Sequence, residues 1–414
     1  MTAGDGSLEN GVPLQNGVPL GGGDPREDAA PREDGGKATP KDRFTAELCV
    51  QEEEFARLGV PWGRLYRSCR AATPFQSHAW LSSWWQSYGT RGRLRVLLVR
   101  DRGDGTGGHG DGELVAAAPL MRVRAPLPAL TPLGGAISDF TDVLVDDAAA
   151  DDALPALVDG LAALARGALL DFREVRPGAC VERVYERWRG PRHTVADSPC
   201  LELPALPMEE LLERLPASRA QRTRAKLRKL AKLGVEAHVV PADDVPDSLH
   251  TLLRLHQLQW QGRKVTTEHL RPRFREHLIR SVQPMVAAGE AVVTEFRLDG
   301  EVMAADLTLL SGHLAGGYLY GAHPLLRERK ADVATMLLDA CTRHTGGDRP
   351  RTLSLLRGTE PYKQHWRPDP VVNRRYLLAR TPTAPLLAAA ATGAAARRCG
   401  KRLLDARRGD ASPE

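Results

Sequence analysis

A chain of 414 residues with 42% hydrophobic and 26% charged residues is too long for one ordinary core, and its balance excludes a membrane-embedded protein or a fibre. Its net charge of +5 rests on basic residues that are mostly Arg, with no Lys between Lys41 and Lys226, and this names no partner. The six cysteines, Cys49, Cys69, Cys180, Cys200, Cys341 and Cys399, are scattered without a Cys-x-x-Cys pair, which points to reduced thiols in a cytoplasm and away from a zinc site.

Residues 1–43 repeat Asn-Gly-Val-Pro-Leu and Pro-Arg-Glu-Asp, a low-complexity segment expected to be disordered. The start of the chain lacks a basic stretch followed by an apolar core, so no secretory signal is expected. From Phe75 the spacing predicts a helix carrying Trp80, Trp84 and Trp85. Strands are predicted at Leu94–Arg100, at Glu113–Val123 and near Ala136–Val145, then a helix over Leu154–Arg166 and a strand over Leu169–Val175. Gly103 to Gly108 matches the dinucleotide fingerprint by letter. It joins two strands rather than opening a helix, so it reads as a hairpin loop.

A second unit starts at Ser218, read as an N-cap, with a helix closed by Gly234. Arg219, Arg222, Arg224, Lys226, Arg228, Lys229 and Lys232 ring that helix, which suits a solvated or phosphate-facing surface. A strand at Val235–Val240 and helices over Asp244–Gln261 and Glu268–Ala288 follow. Three strands are then predicted at Ala291–Leu298, Glu301–Leu310 and His313–Gly321. A helix over Asp332–His344, a strand starting at Leu353, a strand at Val371–Ala379 and an Ala/Arg-rich helical tail complete the chain. Both halves share the order β-β-β-α-β, which suggests a duplicated α/β unit.

Asp299-Gly300 is a two-residue hairpin turn. It pairs Phe296 with Met303, Thr294 with Ala305 and Val292 with Leu307, and makes Glu295 and Asp306 diagonal neighbours on the other face. Two acids so placed would compete for a proton, as a general base near neutral pH requires, or they are surface acids on a half-exposed sheet. Gly316-Gly317 in the third strand suggests a bulge or a close backbone approach, beside which a ligand fits. Arg327, Arg329 and Lys330 bring positive charge to the start of the following helix. Leu353–Trp366 begins as a strand, breaks at Arg357-Gly358 and restarts at Glu360-Pro361. It crowds Arg357, Glu360, Tyr362, Lys363 and Trp366 at a strand end, the usual ligand position of an open α/β sheet, or it is only a helix start with a stacked Tyr362/Trp366 pair. There is no His-Glu-x-x-His, Gly-x-Ser-x-Gly or P-loop, and no metal is expected.

Four stretches carry a resemblance: Thr73–Trp85, Ser138–Val145, Leu255–Trp260 and, most distinctive, Leu355-Leu-Arg-Gly-Thr-Glu-Pro-Tyr-Lys-Gln-His-Trp366. The chain resembles the CelD-like acetyltransferases, a tandem GNAT family related to the Fem-type aminoacyltransferases. The resemblance implies an α/β fold of two GNAT-like domains, 44–205 and 206–380, with mixed central sheets flanked by helices, and a tail over 381–414. It implies acyl transfer from acetyl-CoA or another acyl-CoA to an amine of a small molecule or glycan precursor, in polysaccharide or cell-envelope assembly in a bacterial cytoplasm. Glu360, Asp306 or Glu295 would deprotonate the amine, and Tyr362 would protonate the leaving thiolate. Arg357, Lys363, Trp366, Trp80, Asp139, Asp142 and Trp260 would contact the acceptor. Gly316, Gly317, Tyr320, Arg327, Arg329 and Lys330 would hold the coenzyme. Nucleic acid is not the expected partner, and no membrane span is expected, although the tail offers a surface for peripheral association. One departure stands out: Asp332 occupies a position where the family's pyrophosphate loop has glycine. The alternatives are a tRNA-dependent aminoacyl transfer and a non-catalytic carbohydrate-binding protein of the same fold.

Overall fold

A computed structural model of the protein describes residues 43–103, 112–124, 126–259, 261, 266–346 and 351–409. The N-terminal repeats, most of the Gly103–Gly108 loop and Trp260 therefore lie outside the described residues. The strands are β1 (Phe44–Cys49), β2 (Arg93–Asp101), β3 (Glu113–Val123), β4 (Ala129–Pro132), β5 (Leu144–Val145), β6 (Leu169–Val175), β7 (Arg192–Leu203), β8 (Glu236–Val239), β9 (Ala291–Leu298), β10 (Glu301–Leu310), β11 (Leu314–Ala322), β12 (Thr352–Arg357) and β13 (Asp369–Leu378). They form one mixed sheet flanked by helices, in the order β1-β2-β3-β4-β6-β13-β7-β12-β11-β10-β9-β8, with β5 on β3.

Read outward from the β13/β7 pair, the order β6-β4-β3-β2-β1 on one side repeats as β12-β11-β10-β9-β8 on the other. The last strand of each half has crossed over. β13 pairs with β6, and β7 pairs with β12. A buried bidentate bridge from Arg375 to Asp171, at 2.6 and 2.7 Å, ties the exchanged β13 to its host strand, and each charge there has the partner that burial demands. Equivalent helices meet across the same junction. His78–Tyr88 packs on Pro272–Ala287, with Ser83 Oγ donating to the His277 carbonyl at 2.9 Å and the Trp80 ring 4.4 Å from that of His277.

Several expectations needed correction. The strand expected near Ala136–Val145 is instead β4, a 3-10 turn at Gly135–Ile137 and the two-residue β5. The helix expected to open at Ser218 is Ala217–Lys232 with Pro216 at the N-cap, so Ser218 lies inside it, and a short helix, Met208–Glu213, precedes it. β1, β7 and the helix Cys180–Arg187 were not foreseen, because short or polar-alternating strands leave weak periodicity.

The hairpin turn forms as expected, with φ of +55° at Asp299 and +83° at Gly300. Its register holds only for the first two pairs. Between Val302 and Ala304 the ladder slips, so Ala304 faces Phe296, Ala305 faces Glu295 and Asp306 faces Thr294. A one-residue bulge flips every later side chain to the other face. Glu295 and Asp306 are therefore on opposite sides of the sheet rather than diagonal neighbours. Val293, Ala305 and Leu307 pack under Val245–Gln259 and Pro272–Ala287, while Phe296 and Ala304 pack under Ala217–Lys232 and Val333–Thr342.

The feature that positions the site is a fork between β11 and β12. These parallel strands pair only from Leu314–Gly316 to Thr352–Ser354. Beyond Ser354, β12 swings to β7, pairing Arg357 with Cys200, while a bulge between Leu319 and Gly317 leaves Tyr318 out of the ladder with β10. Gly316 stands where the strands part. A Cβ there would lie 2.9 Å from Leu356 Cδ2, so a larger residue would push the fork apart.

Candidate active site

The fork opens to both faces of the sheet. On the side of Val333–Thr342 it leads to a slot of about 130 Å3 lined by Asp306, Gly317, Tyr320, Leu337, Leu338, Cys341, Tyr362 and Lys363. On the other side lies a cavity of about 750 Å3 at the junction of the two halves. Gly317, Tyr320, Leu355, Tyr362 and Lys363 line both.

The cavity floor is the segment after β12. Gly358, with φ +105°, turns the chain back, and a Cβ there would lie 2.4 Å from Glu360 Oε1, so only glycine lets the carboxylate fold over it. Pro361 then starts the short helix Pro361–Gln364. Buried Lys363 donates to the Arg357 carbonyl at 2.9 Å and to Glu360 Oε2 at 2.7 Å. Tyr362 is 52% exposed. Burial, then the Glu360 carboxylate, pushes its hydroxyl well above the ordinary tyrosine range, so it stays protonated at neutral pH.

Arg357 reaches into the other half. It donates from Nε to Asp139 at 2.5 Å, from Nη1 to Glu174 at 3.3 Å and from Nη2 to the Ala136 carbonyl at 2.8 Å. Burial pushes the Asp139 carboxyl up, and the guanidinium of Arg357 pulls it back. Glu174 also accepts from Asn373 at 3.0 Å and from the Ser198 hydroxyl. The guanidinium is thus committed to joining the halves, and its groups face the cavity as a fixed wall.

In the slot, Asp306 accepts from Thr308 Oγ1 at 2.7 Å and from the Cys341 thiol at 3.8 Å. Burial pushes its carboxyl up to about 6, while burial and then the Asp306 carboxylate push the Cys341 thiol well up. Cys341 is therefore a lining group rather than a thiolate nucleophile.

The structure brings together Glu360, Tyr362, Arg357, Lys363, Asp139, Gly317 and Tyr320 around the cavity, with Asp306 next to it. It places the others elsewhere. Glu295 faces away from Asp306 and lines a separate pocket with His238, paired with Arg297 at 2.8 Å. Trp80 is fully buried, donating to Ser138 Oγ at 2.9 Å, and Trp366 is buried against Leu203 and Leu338. Asp142 accepts the backbone N–H groups of Cys180 and Val181 at 2.9 Å and so caps the helix Cys180–Arg187. Gly316 shapes the fork from within.

Arg327 lines a third cavity, of about 510 Å3, beside the start of Val333–Thr342; Arg329 and Lys330 do not line it. Asp332 caps that helix, accepting the Thr335 N–H at 2.9 Å and pairing with Lys226 at 2.6 Å. Groups that sequence reasoning missed are Trp84 and Tyr88, Glu174 and Ser198, and a cluster of His256, Glu268, His269 and Arg273. A signal existed only for Trp84 and Tyr88, on the aromatic helix face, and for His256, within Leu255–Trp260.

Residues 217–364 match the family model of the acetyltransferase (GNAT) domain. The crystal structure of a conserved protein of unknown function from Bacteroides thetaiotaomicron is similar, at 12% identity and a TM-score of 0.52, over 81% of this chain and 100% of its own. The crystal structure titled FemX is similar at 12% identity and a TM-score of 0.53, over 82% of this chain and 99% of its own. At such identity the likeness is one of fold. No curated protein matches the chain.

Proposed function

We propose, from the premise that this chain is an acyltransferase of the GNAT class with a Fem-like fold, that it moves an acyl group from a coenzyme A thioester to an amine. The acceptor class we propose is a small molecule or glycan precursor of polysaccharide or cell-envelope assembly, on the resemblance carried by Leu355–Trp366. The observation that carries the proposal is the fork: a narrow slot and a roomy polar cavity meet at Gly317, Tyr320, Tyr362 and Lys363.

The slot suits an acyl-pantetheine arm. Leu337, Leu338 and Leu355 give it apolar walls, and Gly317 leaves the backbone bare where a Cβ would stand 3.4 Å from Cys341 Sγ. The pyrophosphate end fits less well, because the Asp332 carboxylate sits at the start of the helix that normally receives an anion and already takes the Thr335 N–H of its first turn. Arg327 beside it is the cation on that cavity's wall.

A bound thioester supplies the electrophilic carbonyl. The bulge at Tyr318 takes backbone polar groups out of the ladder next to Gly317, where they can polarise that carbonyl. Tyr362, held protonated, gives its proton to the departing sulfur. Glu360 keeps one oxygen on Lys363 and turns the other to the acceptor amine, holding it in line.

Titration of the full chain with acetyl-CoA tests this: calorimetry should detect binding, and its absence removes the coenzyme A reading. With binding in hand, Glu360→Gln and Tyr362→Phe should lower kcat far more than they change affinity, and unchanged turnover removes those roles. The second reading, an aminoacyl donor carried on tRNA, draws on Asp332 and on Arg219, Arg222 and Lys226 along one helix; filter binding with charged tRNA decides it.

A further inference from the structure

We infer that His256 and His269 form a proton wire whose outer end, His269 Nε2, accepts the proton lost by a primary amine acceptor in the large cavity. This rests on the acyl-transfer reading above and deepens it by saying where the proton goes.

The argument starts at a backbone carbonyl. His256 Nδ1 lies 2.7 Å from the Tyr320 carbonyl oxygen. A carbonyl only accepts, so Nδ1 carries the hydrogen. Burial holds the His256 imidazole below its ordinary range, so the ring is neutral at pH 7 and its Nε2 is a lone pair. His269 Nδ1 stands 3.2 Å from that Nε2 and must donate to it. A neutral His269 then presents Nε2 as a second lone pair, and that atom has no partner among the described residues. Burial first, then the neighbouring His256, pushes the His269 imidazole down to about 4, so the lone pair stays available across the neutral range.

The surroundings fit this use. The His269 ring stacks on Phe274 with centroids 4.7 Å apart, which fixes its plane. Both histidines line the cavity that holds Glu360 and Tyr362. The charged and titratable groups that face the pair are Glu268 and Arg273 from the same stretch, Tyr88 from His78–Tyr88 and Tyr320 from β11. Glu268 and Arg273 neutralise each other at 2.6 and 2.7 Å, with the guanidinium of Arg273 4.7 Å over the Tyr88 ring. Arg271 also pairs with Glu268, at 3.5 Å, and the Glu268 carboxylate favours a proton arriving on the imidazole.

The step balances. As the amine nitrogen bonds to the acyl carbon, its proton passes to His269 Nε2. The carbon–sulfur bond breaks, and the sulfur takes the Tyr362 proton. The imidazolium then returns its proton to the tyrosinate through cavity water. The wire matters because a proton on His269 Nε2 weakens its hold on the Nδ1 proton, which can move to His256 and be shared.

Two measurements on the full chain test the inference. In protein labelled with 15N-histidine, long-range proton–nitrogen correlation at pH 7 should show both residues as the Nδ1–H tautomer, the minor form of free imidazole. A hydrogen on Nε2 of either ring overturns the wire. With acetyl-CoA and a simple primary amine as probes, His269→Asn should keep the melting temperature and acetyl-CoA affinity yet turn over about 100-fold more slowly. Added imidazole should restore part of the rate to His269→Ala. Turnover within threefold of wild type, or no rescue, overturns the base role. If wild type transfers nothing from acetyl-CoA, the donor reading has failed, and the tautomers still decide the wire.

Discussion

The two halves of the sheet share one topology and differ in what fills their centres. In the N-terminal half the middle strand β3 runs Ala116, Ala117, Ala118, all fully buried. The same half carries fully buried Phe75, Phe140 and Trp80, whose rings pack edge to face at 5.4 to 5.8 Å. In the C-terminal half the equivalent strand β10 carries buried Asp306 and Thr308, and the fork between β11 and β12 opens into a slot and a cavity. A duplicated unit need keep chemistry in only one copy. The N-terminal half lends Asp139, Trp84 and Tyr88 to the cavity.

If the N-terminal half is a wall bolted to an active half, the bolt is Arg357. Replacing it with alanine strands the partly buried Asp139 and removes a partner of Glu174. Arg357→Ala should therefore cost about 3 kcal/mol in denaturant unfolding and abolish transfer. A loss below about 1 kcal/mol would mean that the halves meet without it.

Asp306 sharpens the contrast between the two middle strands. Its folded-state carboxyl is raised to about 6 from an ordinary 3.8. The stability linked to it is thus fully present below the ordinary value and lost as pH rises through about 6. Asp306→Asn escapes that loss. Its stability relative to wild type should be about 2–3 kcal/mol greater at pH 7.5 than at pH 4, while transfer slows. Melts at the two pH values check the first part. No pH dependence in the difference would place Asp306 in a wetter site than its burial indicates.

Much of this contrast was legible in the chain. The strand series of the C-terminal half, the Asp299-Gly300 turn and the polar strand end at Arg357 to Lys363 were all readable, because turn chemistry and a hard break in hydrophobic pattern are local. The bulge near Met303 was not. A bulge is decided by packing on both faces of the sheet, and missing it put Glu295 beside Asp306 when the sheet separates them. The partners of Arg357 lie 183 and 218 residues away, and only the strand exchange brings them near. Trp80 and Trp366 read as ligand contacts because aromatic residues suit both cores and pockets, and burial alone tells them apart.

The smallest expected effect concerns the two helices that follow the forks. Val333–Thr342 begins at Asp332, whose carboxylate caps it and pairs with Lys226. Its counterpart Ala150–Leu164 has no side-chain cap, and Asp151 and Asp152 lie in its first turn. Asparagine caps as well as aspartate, so Asp332→Asn should leave the melting temperature nearly unchanged. It removes a negative charge from a helix start and frees Lys226, so affinity for coenzyme A should rise about fivefold, the worth of about 1 kcal/mol. Asp151→Asn, the same change in the wall half, should not alter affinity. Equal effects would show that only net charge is sensed. Acetyl-CoA binding that ignores Asp332→Asn would move the donor's anionic end away from this helix start and onto the basic face of Ala217–Lys232.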